Sequence, residues 1–380
     1  MTLYGGRYTV RQFDGSVSGG LFRLPGGEVQ AALGIDYRRE AYGFNGSAAG
    51  NAGQPVIFLA AFDNINALRP TTRTIRAAYA EVLFPLLPGL DVTGAVRADD
   101  YSDFGTTVNP KFSAKWRPAD WLLFRASYNT GFRAPAFNQI YNGATETPYS
   151  GSDLVDPATC PTLQPSSAAN SPCFRIRPSI ITRGNRDLGP ETSDQASAGV
   201  VFQPSEAFSA SIDWWKINID NNIQLPTLLQ IVRYSADLGG LIIRDSGGAI
   251  VAIDQAWQNT GARRTQGLEV AVRGAIDGAG GRFTAGLDGT YLIKKRERVT
   301  GTAPYEQLIG VFSFTGDLGL RWKHNVFVGW NNDDVAVTLT QLFRQGYRNG
   351  ALPGIANGTV TRPGYNDRVD DYILYNLSVA

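Results

Sequence analysis

The chain has 380 residues, 11% of them aromatic and only 18% charged, with 43 glycines and long stretches that lack helical periodicity. This composition indicates an all-β fold. The formal net charge of +1 and the scattered arginines exclude a nucleic-acid-binding protein built on a basic stripe, and no run of about 18 apolar residues exists that would form a transmembrane helix.

The predicted strands are joined alternately by very short turns and by much longer connections. The six short turns lie at 23–28, 86–91, 117–121, 203–208, 277–281 and 330–334. The other connections lie at 43–72, 100–108, 133–190, 221–262, 295–320 and 346–369, and most of them exceed the usual two to six residues. Outer-membrane barrels have short periplasmic turns and long extracellular loops, so this segregation predicts a transmembrane antiparallel β-barrel.

Most strand-like runs alternate apolar and polar residues, as a wall between lipid and water requires. In EVQAALGIDYRRE, Leu33, Ile35 and Tyr37 share one face, and Asp36 and Arg38 share the other. GLEVAVRGAI, near residue 270, repeats the pattern, whereas SIDWWKINID is mixed.

Aromatic residues recur at two levels of the predicted strands. One set flanks the short turns, and a second follows seven or eight residues later, at Tyr128, Trp215, Tyr291 and Phe343. Eight residues of a strand tilted by ~40° span about 20 Å, close to the apolar band of a membrane barrel. The two sets predict aromatic girdles, with scattered core aromatics of a soluble β-protein as the alternative.

The strand count predicts an incomplete barrel. Some 13 strands are expected, centred near residues 18, 34, 79, 94, 112, 125, 198, 213, 270, 287, 326, 339 and 375. A single-chain bacterial barrel has an even number of strands, because an open edge in hydrocarbon leaves backbone groups unpaired. With no signal peptide at its start and no terminal aromatic residue at its end, the chain is expected to be a partial barrel over 1–380, cut at both ends.

Two motifs resemble those of a known family. TGFRAPAFNQIY (130–141) resembles the motif in the middle of the barrel of TonB-dependent outer-membrane receptors. GNRDLGPETSDQASAGVVF (184–202) resembles the box that opens the next strand there, with Arg186 where proline is usual. Two further segments, 96–118 and 258–272, are similar to other strand segments of the family.

The resemblance implies a barrel of about 22 strands with a plug domain in its lumen, the arrangement expected at that size. About nine strands are then expected to be absent. The plug and the TonB-contacting segment precede the barrel in the family, and we expect neither in this chain. Alone, it should therefore bind ligand poorly and support no energised transport.

The break in the first motif has a local explanation. Phe132 is expected to end a strand, and Arg133 to reach polar groups of a loop or of the lumen. Pro135 removes a ladder donor and biases Ala134 away from helix, which releases the chain into a long loop.

No catalytic constellation is found, so an enzyme is not expected. GSVSG (15–19) lacks the strand-to-helix elbow and the histidine of a hydrolase triad, and His324, which is the only histidine, is interpreted as a wall residue. Asp99 and Asp100 point to opposite faces of a strand and, with Asp103, are interpreted as part of a solvated turn rather than as paired carboxylates or a cation site. Neither a metal site nor a cofactor is expected.

Three functions remain open. The favoured one is an outer-membrane receptor for TonB-dependent uptake of a siderophore, cobalamin or oligosaccharide, whose partners are membrane lipid, an extracellular small molecule and, through the plug, TonB. A passive porin and a soluble carbohydrate-binding domain are the alternatives. Haem is disfavoured, since haem receptors of the family carry a histidine between the two motifs, and 136–183 contains none.

Aromatic and arginine side chains in or beside the long loops are the candidate ligand contacts, because rings stack on sugars or catecholates and guanidinium groups bind anionic oxygens. Surface solvation is the alternative for each one. The candidates are Arg133, Tyr141, Tyr149, Phe174, Arg175, Arg177, Tyr234 and Trp257.

The two cysteines, Cys160 and Cys173, are predicted to form a disulfide. Both lie in the 133–190 loop, flanked by Pro161 and Pro172, and an exported protein meets an oxidising compartment. Unpaired thiols too far apart to bridge remain the alternative.

Overall fold

The computed structural model describes residues 5–45, 68–312, 318–349 and 367–380. Most of the predicted loops 43–72 and 346–369 lies outside the described residues. The strands are, in chain order, β1 (Gly5–Leu24), β2 (Gly27–Asn45), β3 (Leu68–Leu87), β4 (Leu90–Tyr101), β5 (Gly105–Ala119), β6 (Leu122–Arg133), β7 (Thr145–Pro148), β8 (Ser179–Arg183), β9 (Glu191–Ser205), β10 (Phe208–Gln224), β11 (Ile242–Arg244), β12 (Ile250–Ala256), β13 (Gln258–Gly278), β14 (Gly281–Arg298), β15 (Glu306–Gln307), β16 (Val311–Phe312), β17 (Trp322–Asn331), β18 (Ala336–Arg344), β19 (Tyr347–Asn349), β20 (Arg368–Val369) and β21 (Tyr372–Val379). The helices are α1 (Phe137–Tyr141), α2 (Leu228–Arg233) and α3 (Ser235–Leu238), followed by a 3₁₀ turn at Gly239–Leu241.

Thirteen strands form one antiparallel sheet, which we call the wall. Their order is β1-β2-β3-β4-β5-β6-β9-β10-β13-β14-β17-β18-β21, and the short β15 adds to the edge of β14. The prediction of 13 strands is confirmed, and every predicted centre lies within its strand. Among the helices of the described residues, none combines the length and the hydropathy needed to cross a bilayer.

The six predicted short turns all lie at one end of the wall, the turn end, where they join consecutive strands. In the turn between β13 and β14, Ala279 and Gly280 both have positive φ, 51° and 70°. Two left-handed residues in a two-residue loop match the right-handed twist of the flanking strands. At the opposite end, the loop end, the connection predicted at 100–108 is itself a three-residue turn between Tyr101 and Gly105.

The two faces of the wall differ in polarity. On the apolar face, β1 and β2 place Phe13 opposite Tyr37 and Val17 opposite Leu33, and these four side chains are 46–68% exposed. On the polar face, Gln12 donates to Asp36. The wall therefore carries the alternation predicted from the sequence.

Ion pairs cross the polar face where a glycine leaves room. Arg125 of β6 donates through Nε and Nη2 to Asp213 of β10, at 2.7 Å each, across the intervening β9. The β9 residue between them is Gly199, at which an added Cβ would lie 1.9 Å from an Asp213 carboxylate oxygen.

One predicted girdle residue lies on the wrong face. Trp215 pairs with Ser197 and Gly267, which belong to the polar face, whereas its neighbour Trp214 pairs with Leu268 on the apolar face. Side chains alternate along a strand, so only one of two adjacent tryptophans can face each side. Trp214 thus replaces Trp215 in the apolar row.

The packed core lies in the loops rather than in the wall. The stretches 134–190 and 225–257, which we call the loop cap, share a four-stranded sheet of order β11-β12-β8-β7, in which β12 and β8 are parallel. Arg183 and Asp254 form an ion pair across this sheet at 2.6 Å. A buried cluster lies between the two stretches and consists of Leu154, Ile180, Ile231, Val232, Leu238, Ile253 and Val299.

These stretches lie in the long loops predicted at 133–190 and 221–262. Burial of their apolar side chains removes hydrocarbon from water and stabilises the small sheet and helices. The loop cap is therefore an ordered layer over the loop end of the wall.

Candidate functional site

The motif after β6 leaves the wall as predicted. β6 ends at Arg133, Pro135 is fully buried, and α1 begins at Phe137. The Phe137 ring stacks on Tyr42 of β2 at 5.6 Å and meets Tyr8 of β1 edge-on at 5.8 Å. The segment thus folds back across the wall toward β1 and β2.

Arg73 of β3 holds this segment in place. Only 4% of Arg73 is exposed, and its Nη2 donates to the Pro135 carbonyl at 3.0 Å. Its Nε donates to Asp103 at 2.7 Å, and its guanidinium carbon lies 4.8 Å from the Phe137 ring centre. A buried charge needs such a full set of partners, so Arg73 joins β3, the turn before β5 and the motif.

Arg133 forms a two-pronged ion pair with Glu191, the first residue of β9. Nε and Nη2 of Arg133 donate to the two carboxylate oxygens at 2.6 and 2.8 Å. Glu191 is 6% exposed and also accepts from the backbone N–H of Ile223 at 2.6 Å. Charge-assisted, bidentate geometry of this kind orients both groups, and the Nη1 of Arg133 forms no hydrogen bond with another described residue.

The second motif is bonded to the first and to the start of β13. The Asn185 N–H donates to the Gln139 carbonyl at 2.8 Å, and its Nδ2 donates to the Trp257 carbonyl at 2.7 Å. The Asn259 side chain accepts from the Gly189 N–H at 2.8 Å and donates to the Gly189 carbonyl at 3.0 Å. Three segments that resemble the family are therefore brought together at the loop end.

A cavity of about 600 Å³ opens where these segments meet. This volume falls within the range of small-molecule sites, roughly 300–1,000 Å³. In the lining of this cavity, Arg263 Nε lies 3.4 Å from a carboxylate oxygen of Glu297. The lining residues that carry polar or aromatic groups are Arg133, Glu191, Asn222, Gln224, Gln230, Trp257, Arg263 and Glu297.

Of the predicted contacts, only Arg133 and Trp257 lie in this cavity. Tyr141 packs against the small buried cluster of Ile140, Leu188 and Ile223, with the Arg186 guanidinium 5.6 Å from its ring centre. Arg186 thus occupies the position where the family has proline and covers a tyrosine.

Two further predicted tyrosines support the loop cap. Tyr149 packs against the buried cluster and donates to Asp153, and burial together with that carboxylate raises the pKa of Tyr149. Tyr234 is the C-terminal cap of α2 and donates to Glu306 at 3.5 Å, and burial raises its pKa as well. Both phenols therefore remain protonated at neutral pH, as hydrogen-bond donors.

Phe174, Arg175 and Arg177 lie on the surface of the loop cap. Phe174 is 41% exposed, and Ile176 between the two arginines packs on the buried cluster. The guanidinium groups of Arg175 and Arg177 make no hydrogen bond or ion pair with other residues in the described part of the chain. They are free to meet an anionic ligand, whereas Arg133 is already paired.

Cys160 and Cys173 are joined as a disulfide, with their Cα atoms 4.7 Å apart. The bridge closes one lobe of the loop cap, in which the Ser166 N–H also donates to the Cys173 carbonyl at 2.8 Å. The geometry meets the separation that such a bond requires.

One of the aspartates near residue 100, Asp99, is placed differently from the prediction of a solvated turn. Asp99 is 3% exposed and bound by Arg97 at 2.8 Å, and Asp103 is bound by Arg73. Asp103 lies in the turn between β4 and β5, and Asp100 is an exposed residue of β4 that accepts from Thr106 at 3.0 Å. A buried carboxylate needs a paired cation, and Arg97, two residues away on the same strand, provides it for Asp99.

His324 lies in the wall, as interpreted from the sequence. Its Nδ1 accepts from Trp322 Nε1 at 2.8 Å, and its ring stacks on Phe343 at 4.9 Å.

Sequence reasoning missed Arg73, Gln230, Arg263 and Glu297. The segment that contains Arg263 was noted for its resemblance, but not for its side chains. The sequence does carry a signal for Arg263 and Glu297. Two strand ends, 263–264 and 294–298, are rich in charged residues where the apolar alternation stops.

A family model described as TonB dependent receptor-like, beta-barrel matches residues 2–380. The ferric enterobactin receptor PirA of Pseudomonas aeruginosa is 29% identical over 153 residues, which are 40% of this chain and 18% of that protein. The probable TonB-dependent siderophore receptor PirA of Acinetobacter baumannii is 23% identical over 230 residues, 60% of this chain and 27% of that protein.

Solved structures show the same fold. The siderophore receptor PirA from Acinetobacter baumannii superposes with a TM-score of 0.65 at 17% identity, over 98% of this chain and 48% of that chain. A mutant of the ferric enterobactin receptor PfeA from Pseudomonas aeruginosa, in complex with enterobactin, gives 0.64 at 18% identity, over 98% and 47%. This chain therefore spans about half the length of those chains. The chain belongs to the TonB-dependent receptor-like β-barrel family of the outer membrane.

Proposed function

We propose that this chain forms part of the wall and the loop cap of a receptor that takes up a ferric siderophore in a TonB-dependent manner. The apolar face of the wall contacts membrane lipid, and the loop end faces the outside of the cell. The polar face lines a lumen that a plug domain fills, and TonB acts through that plug. Relatives named as siderophore receptors support this ligand class over cobalamin and oligosaccharide.

The cavity beside Arg133 and Arg263 carries the proposal. Guanidinium groups donate two parallel hydrogen bonds to planar oxygen pairs such as catecholate or carboxylate. Trp257 adds an aromatic surface on which a ring can stack. Both arginines already face a glutamate, so an entering anionic ligand is held by the donors that remain, including Nη1 of Arg133.

The loop cap supports a capture step. Arg175 and Arg177 stand free on its surface, next to the exposed ring of Phe174. Unpaired cations raise the local concentration of an anionic ligand and speed its arrival, an effect that salt screens. In this proposal, the ligand is captured at the cap and then transferred to the cavity.

The test measures quenching of tryptophan fluorescence by ferric enterobactin in the detergent-solubilised protein that contains this chain. We expect Arg263→Gln to weaken binding by about tenfold or more, because a hydrogen bond to a charged group contributes about 1.5–3 kcal/mol. Trp257→Ala should weaken it by a similar factor, because it removes about 0.5–1.5 kcal/mol of ring stacking in addition to the buried aromatic area. The matched control is Arg282→Gln on the same wall, whose side chain is exposed near the turn end and 3.8 Å from Asp277.

Binding that is equal in Arg263→Gln, Trp257→Ala and the control would remove the cavity from the proposal. No binding by the unaltered protein would remove the siderophore. In cells, collapse of the proton gradient should stop uptake, whereas a passive porin would continue to conduct.

A further inference from the structure

A second cavity lies on the opposite face from the ligand site. It is a groove of about 360 Å³ at the loop end of β1, β2 and β3. Three arginines, Arg7, Arg11 and Arg39, line it, together with Pro70 and Thr72. We call it the arginine groove.

The arginine groove lies on the apolar face. Along β1, residues 7, 11, 13 and 17 share one side, and Arg11 stands opposite Arg39 just as Phe13 stands opposite Tyr37. Two residues along a strand rise about 6.6 Å, so the arginine pair lies one step above the exposed aromatic pair. The boundary between the apolar band and the charged end of the wall therefore runs through this point.

The described residues do not balance the charges of the arginine groove. Arg11 and Arg39 are direct cross-strand partners, and like charges in that position repel. None of the three arginines forms a hydrogen bond or an ion pair with another residue that the structure describes. The nearby acidic groups Asp36 and Glu40 belong to the polar face, where they bind Gln12 and Arg38.

We propose that the arginine groove binds the phosphorylated head group of a glycolipid in the loop-side leaflet of the membrane. Guanidinium forks fit phosphate oxygens, and a phosphate between Arg11 and Arg39 turns their repulsion into two attractions. The apolar surface of Phe13, Tyr37 and Val17 directly below accepts the acyl chains, which a free anion does not have. This inference rests on the membrane placement in the proposed function.

The test is native mass spectrometry of the detergent-solubilised protein with diphosphoryl lipid A. We expect bound lipid A, at least tenfold weaker binding in the double variant Arg11→Gln/Arg39→Gln, and no comparable binding of the same lipid without phosphates. The matched control, Lys111→Gln/Lys323→Gln, removes the same charge from the polar face and should bind normally.

Equal lipid binding by the double variant, or equal binding of the lipid without phosphates, would overturn the proposal. Inorganic phosphate that competes at the same concentration as lipid A would show a free-anion site instead and would also overturn it.

Weaker lipid binding by the double variant can be told apart from misfolding of that variant. Removing the Arg11–Arg39 repulsion should leave the lipid-free protein at least as stable, which the temperature of its gel shift in SDS checks. If the double variant fails to fold, Arg7→Gln alone should still weaken binding severalfold. Affinity for ferric enterobactin should be unchanged in these variants, so failure of the siderophore proposal and failure of the lipid proposal are seen separately.

Discussion

The substitution Arg73→Met should release the segment that follows β6 while leaving the wall folded. It removes the donor to the Pro135 carbonyl and the ion pair with Asp103. An unpaired buried carbonyl costs about 1–3 kcal/mol. The Asp103 side chain is 25% exposed and becomes rehydrated, so its lost pair adds only about 1 kcal/mol. The two losses together destabilise the closed form of the segment by about 2–4 kcal/mol. Packing on Phe137 adds little to this sum, because methionine keeps part of it.

Hydrogen exchange measures this loss directly. Three amides of the segment, those of Gln139, Ile140 and Asn142, donate to carbonyls within it. Their exchange should accelerate by about 30- to 700-fold, because each 1.4 kcal/mol is a factor of about ten. The wall amides between β3 and β4 should not change.

The matched control is Arg76→Met on the same strand. Arg76 is exposed, faces the opposite side of β3 and forms no ion pair with the described residues. Its exchange pattern should equal that of the unaltered protein. If the amides of the segment exchange as slowly in Arg73→Met as in Arg76→Met, Arg73 does not hold the motif in place.

Three further predictions concern the loop cap. Mass spectrometry without prior reduction should find Cys160 and Cys173 unalkylated, and Cys160→Ser/Cys173→Ser should destabilise the cap by roughly 3 kcal/mol, the value for a closed loop of about 15 residues; recovery of both alkylated cysteines would contradict the bridge. A two-pronged hydrogen bond from Arg244 lowers the pKa of Asp156 below its ordinary value of 3.8. A depressed carboxyl pKa stabilises the folded state above the ordinary value, and this stabilisation is lost as the pH falls through the folded pKa. Protection of the Ile242–Arg244 amides from hydrogen exchange should therefore be constant between pH 7 and pH 5 and fall in stronger acid. Asp156→Asn should show the lower protection already at pH 7, and equal protection in this variant and the unaltered protein at every pH would refute the link. Arg175→Gln/Arg177→Gln should slow siderophore association severalfold at low salt and little at high salt; association rates equal to those of the unaltered protein at every salt concentration would remove these two residues from the capture step.

Local features of the sequence were sufficient for the wall. The turns at 86–91 and 277–281 contain Gly89 and Gly280, whose positive φ values are 78° and 70°, so these turns could be recognised from residue type alone. Period-two alternation then placed Leu33 and Ile35 on the apolar face. Both signals act within a few residues, which is why the 13 strands were predicted at their observed positions.

Pairing between strands decided what local patterns left open. The choice between Trp214 and Trp215 for the apolar face depends on their registers with β9 and β13. Likewise, Asp99 looked like a residue of a solvated turn, but β4 pairs it with Ala77 of β3 and Thr107 of β5, and between these strands it is buried on the polar face. Neither outcome follows from a single strand, because each requires the neighbouring strand to be known.

The sequence by itself determined the family motifs, the alternation of the wall and a disulfide between the only two cysteines. Only the tertiary structure decided which candidates share a site, because Arg133, Trp257 and Arg263 come together through loops that fold on one another. The same holds for the loop cap, whose sheet pairs β8 with β12 from separate loops. Such contacts depend on burial of side chains far apart in the chain, as with Ile180 and Ile253, and no local pattern specifies that burial.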